Sequence, residues 1–301
     1  MTAKDVEKRR DAKRIKQQSA KGNLYQKKNP TYARDQMRKI RAENGRNDGI
    51  YAQMIDDQRK PLDVVSDNIL ITSDFHIPFH NLSLLEKLFS VAVEYSVTDI
   101  SIAGDFWDCD NVSTFTPGVP MKPAFDQEIN HVRNVLDLIT AAFKGVYFCR
   151  GNHEKRWLNL NAGKLDIKKL FGLTEITRGY QVTGDDHIYI TQGDEKWLHC
   201  HPRNFRITPL SVVRDLSAKF GCHVVGGHGH QFGQGWDRSG RFKVADGGGL
   251  FDVHSLDYHR DTTCHPEVRS GFYLLQDNHL IAFEPDHEGK VVLEDSKGGK
   301  K

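Results

Sequence analysis

Aspartate, asparagine and histidine residues recur directly after short apolar runs of this 301-residue sequence. Five segments carry them, in the chain order SDFHIP, GDFWD, GNHE, LHCHP and GGHGH. Carboxylate, amide and imidazole groups suit divalent ions such as Mn, Fe, Zn or Mg rather than copper-thiolate chemistry. A carboxylate has two oxygens and can bridge two ions about 3.5–4 Å apart. The aspartate, asparagine and histidine residues of these five segments therefore predict a site for a pair of divalent metal ions.

The spacing inside the first and last segments adds a geometric expectation. Asp74 and His76 are two residues apart, as are His228 and His230. In an extended segment, residues i and i+2 point to the same side, so we expect each pair to converge on one cluster. Each segment alone could instead be a polar turn or contain a core histidine. Their joint occurrence after five predicted strands is what favours a functional site.

The elements that must position these residues begin with a β-α-β-α-β pattern. The apolar runs NILITSD, DISIAGD and GVYFCRGN are predicted as strands. Between them, apolar residues at helical spacing predict amphipathic helices at 81–96, with Asn81 as a possible cap, and at 125–143. Right-handed crossovers would place the three strand ends on one edge, where α/β sheets bind ligands.

The second half of the chain is richer in strands. The predicted strands are HIYITQG, KWLHCH, HVVGGHGH, FKVADGG, GFYLLQD and HLIAFEP. A helix is predicted over 208–220, with Thr208 as a possible cap. Together these elements predict one layered α/β domain from about residue 61 to 290, followed by a flexible tail at 291–301.

The net charge of +2 conceals an asymmetry along the chain. Residues 1–60 hold 17 Lys and Arg against 8 Asp and Glu, and the remaining 25 basic and 32 acidic residues give the rest a net charge of −7. We expect residues 1–60 to form a basic arm that is partly disordered or helical. The alternative is an arm that seeks the phosphates of nucleic acid.

The absence of apolar targeting segments and the pattern of cysteines indicate where in the cell the protein is expected. The sequence contains no run of about 18 apolar residues, and MTAKDVEKRR has no apolar region typical of a secretory signal. Five scattered cysteines form no C-x-x-C pair, which favours a reducing setting. We therefore expect a cytoplasmic protein without membrane contact. These features would fit a bacterial or phage protein, in the latter case in the host cytoplasm.

The segments quoted above resemble those of a known family. DFH, GDFWD, GNHE, a mid-chain histidine after a strand and GHGH are similar, in order and spacing, to the D-x-H, G-D-x-x-D, G-N-H-D/E, H and G-H-x-H motifs of calcineurin-like metallophosphoesterases. The resemblance covers about residues 66–250 and implies a four-layered α/β/β/α sandwich. It also implies two divalent metal ions, with manganese expected first and iron, zinc, nickel or magnesium as alternatives.

Site residues follow from the resemblance position by position. The residues implied for the first ion are Asp74, His76 and His230, and those for the second are Asn152, His228 and a mid-chain histidine. Asp105 would bridge the two ions. His153 matches the family's catalytic histidine, and Asp108 would orient it or a metal ligand from behind.

The mid-chain histidine departs from the family pattern, which often has glycine after it. His201 leaves its strand into PRNFR and is the preferred ligand, because strand ends deliver ligands. His199 shares its side of the strand and is either a neighbour of the site or the alternative ligand. Arg203 and Arg150 flank the motifs and are expected to bind the phosphate of the substrate.

The expected activity is hydrolysis of phosphate esters. A hydroxide that bridges the two ions would attack phosphorus, while His153 stabilises the transition state or protonates the leaving oxygen. The basic arm and aromatic residues near the motifs favour a nucleic-acid phosphodiesterase, although those aromatics more simply pack in the core. The alternatives are a phosphomonoesterase for phosphoproteins or small esters and a non-catalytic scaffold. No organic cofactor is expected.

Overall fold

The structure is a computed structural model and describes residues 60–113, 124–160, 166–256, 268–285 and 291–292. Almost all of the predicted basic arm and tail lie outside these residues, so the boundaries of both stay predictions. Within the described part of the chain, no helix is long and apolar enough to cross a membrane. The four cysteines in this part are buried and free.

Seven strands form the first sheet. In chain order they are β2 (Asn68–Thr72), β3 (Asp99–Ala103), β4 (Gly145–Cys149), β5 (Gln181–Val182), β11 (Phe272–Gln276), β12 (His279–Pro285) and β13 (Val291–Val292). Their order in the sheet is β13-β12-β11-β2-β3-β4-β5. The strands β2, β3 and β4 are parallel neighbours. The predicted β-α-β-α-β unit is confirmed, with α1 at Leu82–Glu94 and α2 at Phe125–Ala142.

Six strands form the second sheet. They are β1 (Leu62–Val65), β6 (His187–Gln192), β7 (Glu195–Cys200), β8 (His223–Gly226), β9 (Phe232–Trp236) and β10 (Lys243–Gly247). Their order is β1-β6-β7-β8-β10-β9. The strands β7, β8 and β10 run parallel to one another, so the ends of β7 and β8 reach the same edge of this sheet.

The two sheets pack face to face between two helical layers. Side chains of both sheets, among them Ile71 and Val225, form one apolar core between the sheets. A larger core joins the seven-stranded sheet to α1, α2 and two shorter helices, α3 (Asn152–Leu160) and α4 (Ile167–Gly172). A third joins the six-stranded sheet to α5 (Ser211–Phe220). The fold is thus a four-layered α/β/β/α sandwich, as expected.

Alternation along β2 shows how the sequence specifies these layers. Ile69 and Ile71 point into the core between the sheets, whereas Leu70 points toward the helices. All three side chains are completely buried. Each such burial stabilises the fold by about 1.5–3 kcal/mol. A strand that is apolar on both faces is therefore stable only between two covering layers.

Several predicted bounds differ from the structure. The helix predicted from Thr208 begins at Ser211, behind Leu210 in the left-handed region at φ 63°, so Thr208 is not its cap. Asn81 does cap α1, since its side chain accepts a hydrogen bond from the Leu84 N–H. The strand predicted over 223–230 ends at Gly226. The strands β1, β5, β9 and β13 were not predicted, because short, exposed or glycine-rich stretches give little strand signal.

Candidate metal centre

The loops that follow β2, β3 and β4 lie side by side at one edge of the seven-stranded sheet. Backbone hydrogen bonds join the first two of these loops, from Asp74 N to Gly104 O at 3.1 Å and from His76 N to Asp105 O at 2.9 Å. These contacts extend the parallel pairing of the strands. Residues that follow different strands are thereby brought together, as the sequence predicts.

Two glycines allow the next loop to approach. Gly104 has φ +69°, and a Cβ there would lie 2.5 Å from the Gly151 Cα. A Cβ on Gly151 would lie 2.1 Å from Asp105 Oδ1. Real Cβ contacts are never this short, so any larger residue at either position would push the loops after β3 and β4 apart.

One group of metal-ligand type contains Asp74, His76 and His230, whose ligand atoms all lie within 4.8 Å of one another. We call it the first cluster. His76 Nε2 lies 3.0 Å from His230 Nε2, and the latter lies 3.2 Å from Asp74 Oδ1. All three residues are buried. The predicted residues for the first ion are thus neighbours in space.

A second group contains Asp105, His201 and His228, again with ligand atoms within 4.8 Å of one another. His201 Nε2 lies 3.3 Å from Asp105 Oδ2 and 2.8 Å from Asn152 Oδ1. We call these three residues together with Asn152 the second cluster. Asn152 is the first residue of α3, so the helix start fixes its position.

Asp105 lies between the two clusters. Its Oδ2 atom is 4.0 Å from His76 Nε2 in the first cluster and 3.3 Å from His201 Nε2 in the second. The other oxygen, Oδ1, accepts a hydrogen bond from the His153 N–H at 2.8 Å. This contact fixes the carboxylate plane while leaving Oδ2 directed at both clusters. The position matches that of a bridging ligand.

The backbone conformation of the ligand residues after β2 and β8 differs from the extended one that their spacing suggests. Asp74, His76, His228 and His230 have φ of 49°, 49°, 71° and 50°, so none is extended. Asp74 and His76 still join one cluster, but His228 and His230 join different ones. The expectation from spacing that the last pair converges on one cluster is therefore wrong, whereas the division of the pair between two ions, which the family resemblance implies, agrees with this separation. A left-handed turn, not strand alternation, directs these side chains.

Asp108 contacts two histidines through their Nδ1 atoms. Its Oδ1 lies 2.7 Å from His76 Nδ1 and 3.1 Å from His153 Nδ1. His153 Nδ1 also lies 2.6 Å from the Asp108 carbonyl oxygen, so this nitrogen carries the proton. These three residues form a third group of metal-ligand type, but hydrogen bonds account for its short distances. The Nε2 atom of each ring is then directed toward Asp105.

The carboxylates of the two clusters stay ionised despite their burial. Burial raises the pKa of Asp74, but the imidazoles of His230 and His201 outweigh it and lower that pKa to about 2. Burial likewise opposes ionisation of Asp105, yet His153 and His201 hold its pKa well below the usual range. Buried negative charge of this density requires cations or protons beside it.

The histidines divide into two kinds. Burial lowers the pKa of His153, but Asp105 and Asp108 outweigh it and raise that pKa to about 9. For His201, Asp105 likewise outweighs burial and raises the pKa to about 10. Burial lowers the pKa of His228 to about 4. His153 and His201 therefore hold protons against the carboxylates, and metal ions would displace the proton from a ligand nitrogen.

The donor atoms fit divalent cations. His76 donates a hydrogen bond from Nδ1–H to Asp108 Oδ1, and His201 donates one from Nδ1–H to the Ala103 carbonyl oxygen at 3.0 Å. In the neutral rings, both Nε2 atoms then present lone pairs to the clusters. In the metal-free chain, the proton on His201 Nε2 lies in its short contact with Asn152 Oδ1. A bound cation would take the place of this proton between the two atoms.

His199, the alternative ligand, faces another environment. Its Nδ1 lies 2.7 Å from the Ser101 hydroxyl, between the two sheets. Burial lowers its pKa to about 3, so the ring stays neutral. Within the described residues, His199 belongs to none of the three metal-ligand groups.

The two predicted phosphate-binding arginines lie together at Asp186. Arg150 Nη2 contacts Asp186 Oδ1 at 2.8 Å, and Arg203 Nε contacts Asp186 Oδ2 at 3.0 Å. Arg203 is mostly exposed, whereas Arg150 is mostly buried. Arg150 Nε is buried and has no hydrogen-bond partner among the described residues. Their role toward substrate stays a prediction.

Glu154, the last residue of GNHE, was not assigned from the sequence. Its carboxylate is buried and accepts three backbone hydrogen bonds, from the N–H groups of Asp105, Trp107 and Gly151 at 2.9 to 3.0 Å. It thereby ties the loop after β3 to the loop after β4. The signal that could have indicated this role is an acidic residue between GNH and an apolar helix face.

Comparison with protein families agrees with this geometry. A model of the calcineurin-like phosphoesterases matches residues 68–292, about three quarters of the chain. The chain belongs to the calcineurin-like phosphoesterase family. A comparison with curated protein sequences found no match.

Among solved structures, similarity is weaker. Vps29 from Chaetomium thermophilum is 13% identical, with a TM-score of 0.43 over 75% of this chain and 94% of that one. Yfce, a phosphoesterase from E. coli, is 12% identical, with a TM-score of 0.40 over 75% and 96% of the two chains. Vps29 complexed with Zn²⁺ from Entamoeba histolytica is 13% identical, with a TM-score of 0.41 over 75% and 96%.

Proposed function

We propose that this chain is a hydrolase of phosphate esters that uses two divalent metal ions. The observation that carries the proposal is the position of Asp105, one of whose oxygens faces histidines of both clusters. In a family of phosphoesterases, this arrangement is best explained by two neighbouring cations. The resemblance to the family favours manganese, and the donor set of carboxylate, amide and imidazole also accepts iron, zinc, nickel or magnesium.

The proposed ligands are Asp74, His76 and His230 for the first ion and Asn152, His201 and His228 for the second, with Asp105 shared. When bound, two such ions bind phosphate oxygens and lower the pKa of a water molecule between them. His201 is proposed over His199 because its Nε2 faces Asp105 and Asn152, whereas His199 faces Ser101.

His153 is proposed to act on the substrate itself. The Asp108 carbonyl and carboxylate hold its Nδ1, so its Nε2 is directed at the position between the clusters. Arg156 Nη1 lies 3.1 Å from the same Nδ1, and its charge opposes protonation. The carboxylates dominate, so the imidazolium form can stabilise the transition state or give a proton to the leaving oxygen.

Arg203 and Arg150, which both contact Asp186, are proposed to bind the phosphate of the substrate. Asp186 holds the two guanidinium groups within one ion-paired unit. Because one carboxylate neutralises only one of them, the unit keeps a net positive charge. Guanidinium groups bind phosphate oxygens by paired hydrogen bonds, so this unit would hold an ester beside the clusters.

A metal-reconstituted assay tests the proposal. The metal-free chain is loaded separately with Mn²⁺, Ni²⁺, Zn²⁺ or Mg²⁺ and mixed with p-nitrophenyl phosphate or its bis ester. We expect turnover with at least one ion, and the substitution His153→Ala should lower it about 10²- to 10⁴-fold while two ions remain bound. The control is His131→Ala, on the exposed face of α2.

The same assay separates an enzyme from a scaffold. A chain that binds two ions but hydrolyses neither ester with any of the four metals would contradict the proposed activity and favour a scaffold. Equal losses in the His153 and His131 variants would contradict the role given to His153.

A further inference from the structure

Arg156 on α3 lies beside the histidine that is proposed to act on the substrate. Asn152, His153 and Arg156 share one face of the helix, because residues three and four positions apart on a helix are neighbours. Arg156 Nη1 lies 3.1 Å from His153 Nδ1. The other nitrogen of this ring, Nε2, lies 3.7 Å from Asp105 Oδ2. A single imidazole ring therefore separates the guanidinium from the carboxylate between the two clusters.

The contact with His153 does not satisfy the guanidinium of Arg156. His153 donates a hydrogen bond from Nδ1–H to the Asp108 carbonyl oxygen at 2.6 Å, so Nδ1 cannot accept one from Arg156. Within the part of the chain that the structure describes, Arg156 is half-buried and forms no ion pair. By contrast, five other arginines each contact a carboxylate: Arg133, Arg150, Arg203, Arg206 and Arg238. A half-buried guanidinium in this environment favours a bound anion.

A phosphate group at the clusters would supply that anion. Phosphoryl transfer spreads negative charge over three oxygens of the phosphate. With two of these oxygens at the proposed ions, the third needs a donor from the chain. Arg150 and Arg203 already share Asp186. Arg156 has no such partner and adjoins His153, whose Nε2 is directed at the position between the clusters.

We infer that Arg156 binds a free oxygen of the scissile phosphate and thereby makes this chain selective for phosphomonoesters. A monoester has three phosphate oxygens outside its ester bond, and all three share the negative charge. A diester has only two, because its third position is an uncharged ester oxygen that gives a guanidinium no charge-assisted hydrogen bond. The inference rests on the proposed hydrolase function and names the class of its substrate.

The aromatic residues near the motifs agree with a small substrate rather than a nucleic acid. Phe75 and Trp107 are completely buried in the core between the seven-stranded sheet and the helices. Neither ring can therefore stack on an unpaired base, as single-stranded nucleic acid would require. A small monoester needs no stacking surface.

Two esters with the same leaving group test the selectivity. The full-length chain loaded with Mn²⁺ is assayed with p-nitrophenyl phosphate, a monoester, and with its bis ester, a diester. In the parent chain, kcat/KM should be at least about 10-fold higher for the monoester, because only this ester gains the charged hydrogen bond. Arg156→Gln should lower kcat/KM about 10- to 100-fold for the monoester and less than about 3-fold for the bis ester.

Two further variants separate a substrate contact from a structural role. Arg156→Lys keeps the charge without the paired hydrogen bonds and should recover part of the monoester turnover. Arg178→Gln removes the same charge from an exposed residue just before β5, at the edge of the sheet opposite the clusters, and should behave like the parent chain. Displacement of His153 alone would slow both esters equally, since this histidine is proposed to act on either.

Binding of phosphonates, which have no ester bond at the phenyl group, gives a readout that does not depend on turnover. Calorimetric titration of the Mn²⁺-loaded chain compares phenylphosphonate, a dianion at mildly alkaline pH, with its monomethyl ester, a monoanion. Arg156→Gln should weaken the binding of phenylphosphonate about 10- to 100-fold and change that of the monomethyl ester less than about 3-fold.

Two outcomes would overturn the inference while the hydrolase function stands. The first is an equal loss for both esters in the Arg156→Gln variant, and the second is a parent chain that hydrolyses the bis ester as efficiently as the monoester. Absent turnover of both esters in the parent chain would instead contradict the hydrolase function. In that case, phenylphosphonate binding that depends on Arg156 would still support the phosphate contact, and binding that is indifferent to Arg156 would overturn it.

Discussion

The first and second clusters both combine carboxylate and imidazole groups but differ in enclosure and charge. The first has Asp74 and His76 fully buried, with Asp108 behind His76. The second has a neutral amide, Asn152, where the first has a carboxylate, and its His228 is only half-buried. Because affinity for hard cations rises with ligand charge and rigidity, the first cluster should bind its ion more tightly. We expect the substrate to bind nearer to the second cluster, because that cluster is more open.

The largest effect is expected from the substitution Asp105→Asn, which removes the shared charge and so affects both clusters. Catalytic efficiency should fall at least about 10³-fold, because charge neutralisation by bound metals supplies several kcal/mol. Metal content per chain, measured by plasma mass spectrometry, should fall below two. The matched control is Asp99→Asn at the other end of β3, where the carboxylate accepts a hydrogen bond from Ser66. Equal metal content in both variants would contradict the shared role.

A second comparison separates His201 from His199. His201→Asn should remove one ion and lower turnover at least about 100-fold, because the second cluster loses its imidazole ligand from β7. His199→Asn should keep both ions and turnover but lower the free energy of unfolding by about 1–3 kcal/mol, since Ser101 loses its buried partner. Urea unfolding and metal analysis give both readouts. The reverse pattern would make His199 the ligand.

The buried carboxyl group of Glu128 lies behind the first cluster, and its titration should make the stability of the chain depend on pH. Glu128 on α2 accepts hydrogen bonds from Cys109 N and Asn111 Nδ2, both at 2.8 Å, next to Asp108. Burial raises the pKa of Glu128 to about 7. The folded chain therefore keeps this proton after the unfolded chain has lost it, and the stabilisation from protonated Glu128 is lost as pH rises from about 4.5 to 7.

The substitution Glu128→Gln removes this titration. Relative to the parent chain, the metal-free variant should gain about 2–3 kcal/mol of unfolding free energy between these two pH values. Urea unfolding at a series of pH values measures it. Glu86→Gln, on the exposed face of α1, should give a curve parallel to the parent. A parallel curve for Glu128→Gln as well would show that its carboxyl group titrates normally.

The smallest effect is expected from changing the charge of the second cluster alone. Asn152→Asp should raise the affinity for the second ion about tenfold, because a carboxylate replaces an amide, and leave the first unchanged. Calorimetric titration with Mn²⁺ resolves the two binding steps. An increase in affinity at the tighter binding step, with the weaker step unchanged, would contradict the assignment of the tighter site to the first cluster.

The seven-stranded sheet was easier to predict than its partner for a physical reason. β2, β3 and β4 are covered on both faces, so their sequences are mainly apolar and the helices between them are amphipathic. β9 has no buried residue and two glycines, and β1 pairs with β6, a strand more than a hundred residues later in the chain. Such strands depend on tertiary pairing that local sequence does not encode.

At the candidate site, the residue types and, through the family resemblance, their division between two ions could be predicted, but the backbone geometry could not. The strand-end positions of Asp74, Asp105 and Asn152 followed from apolar runs that end in polar residues. The division of His228 and His230 between two clusters depends on left-handed backbone angles, which spacing alone does not reveal. Likewise, only the hydrogen bonds of the folded chain show that Glu154 joins the loops after β3 and β4.

Anomalous scattering from crystals of the manganese-loaded chain tests the central claim most directly. The account predicts two peaks about 3.5–4 Å apart, one bound by Asp74, His76 and His230 and the other by Asn152, His201 and His228. A carboxylate oxygen of Asp105 should lie between them. A single peak, or two peaks with Asp105 bound to neither, would contradict it.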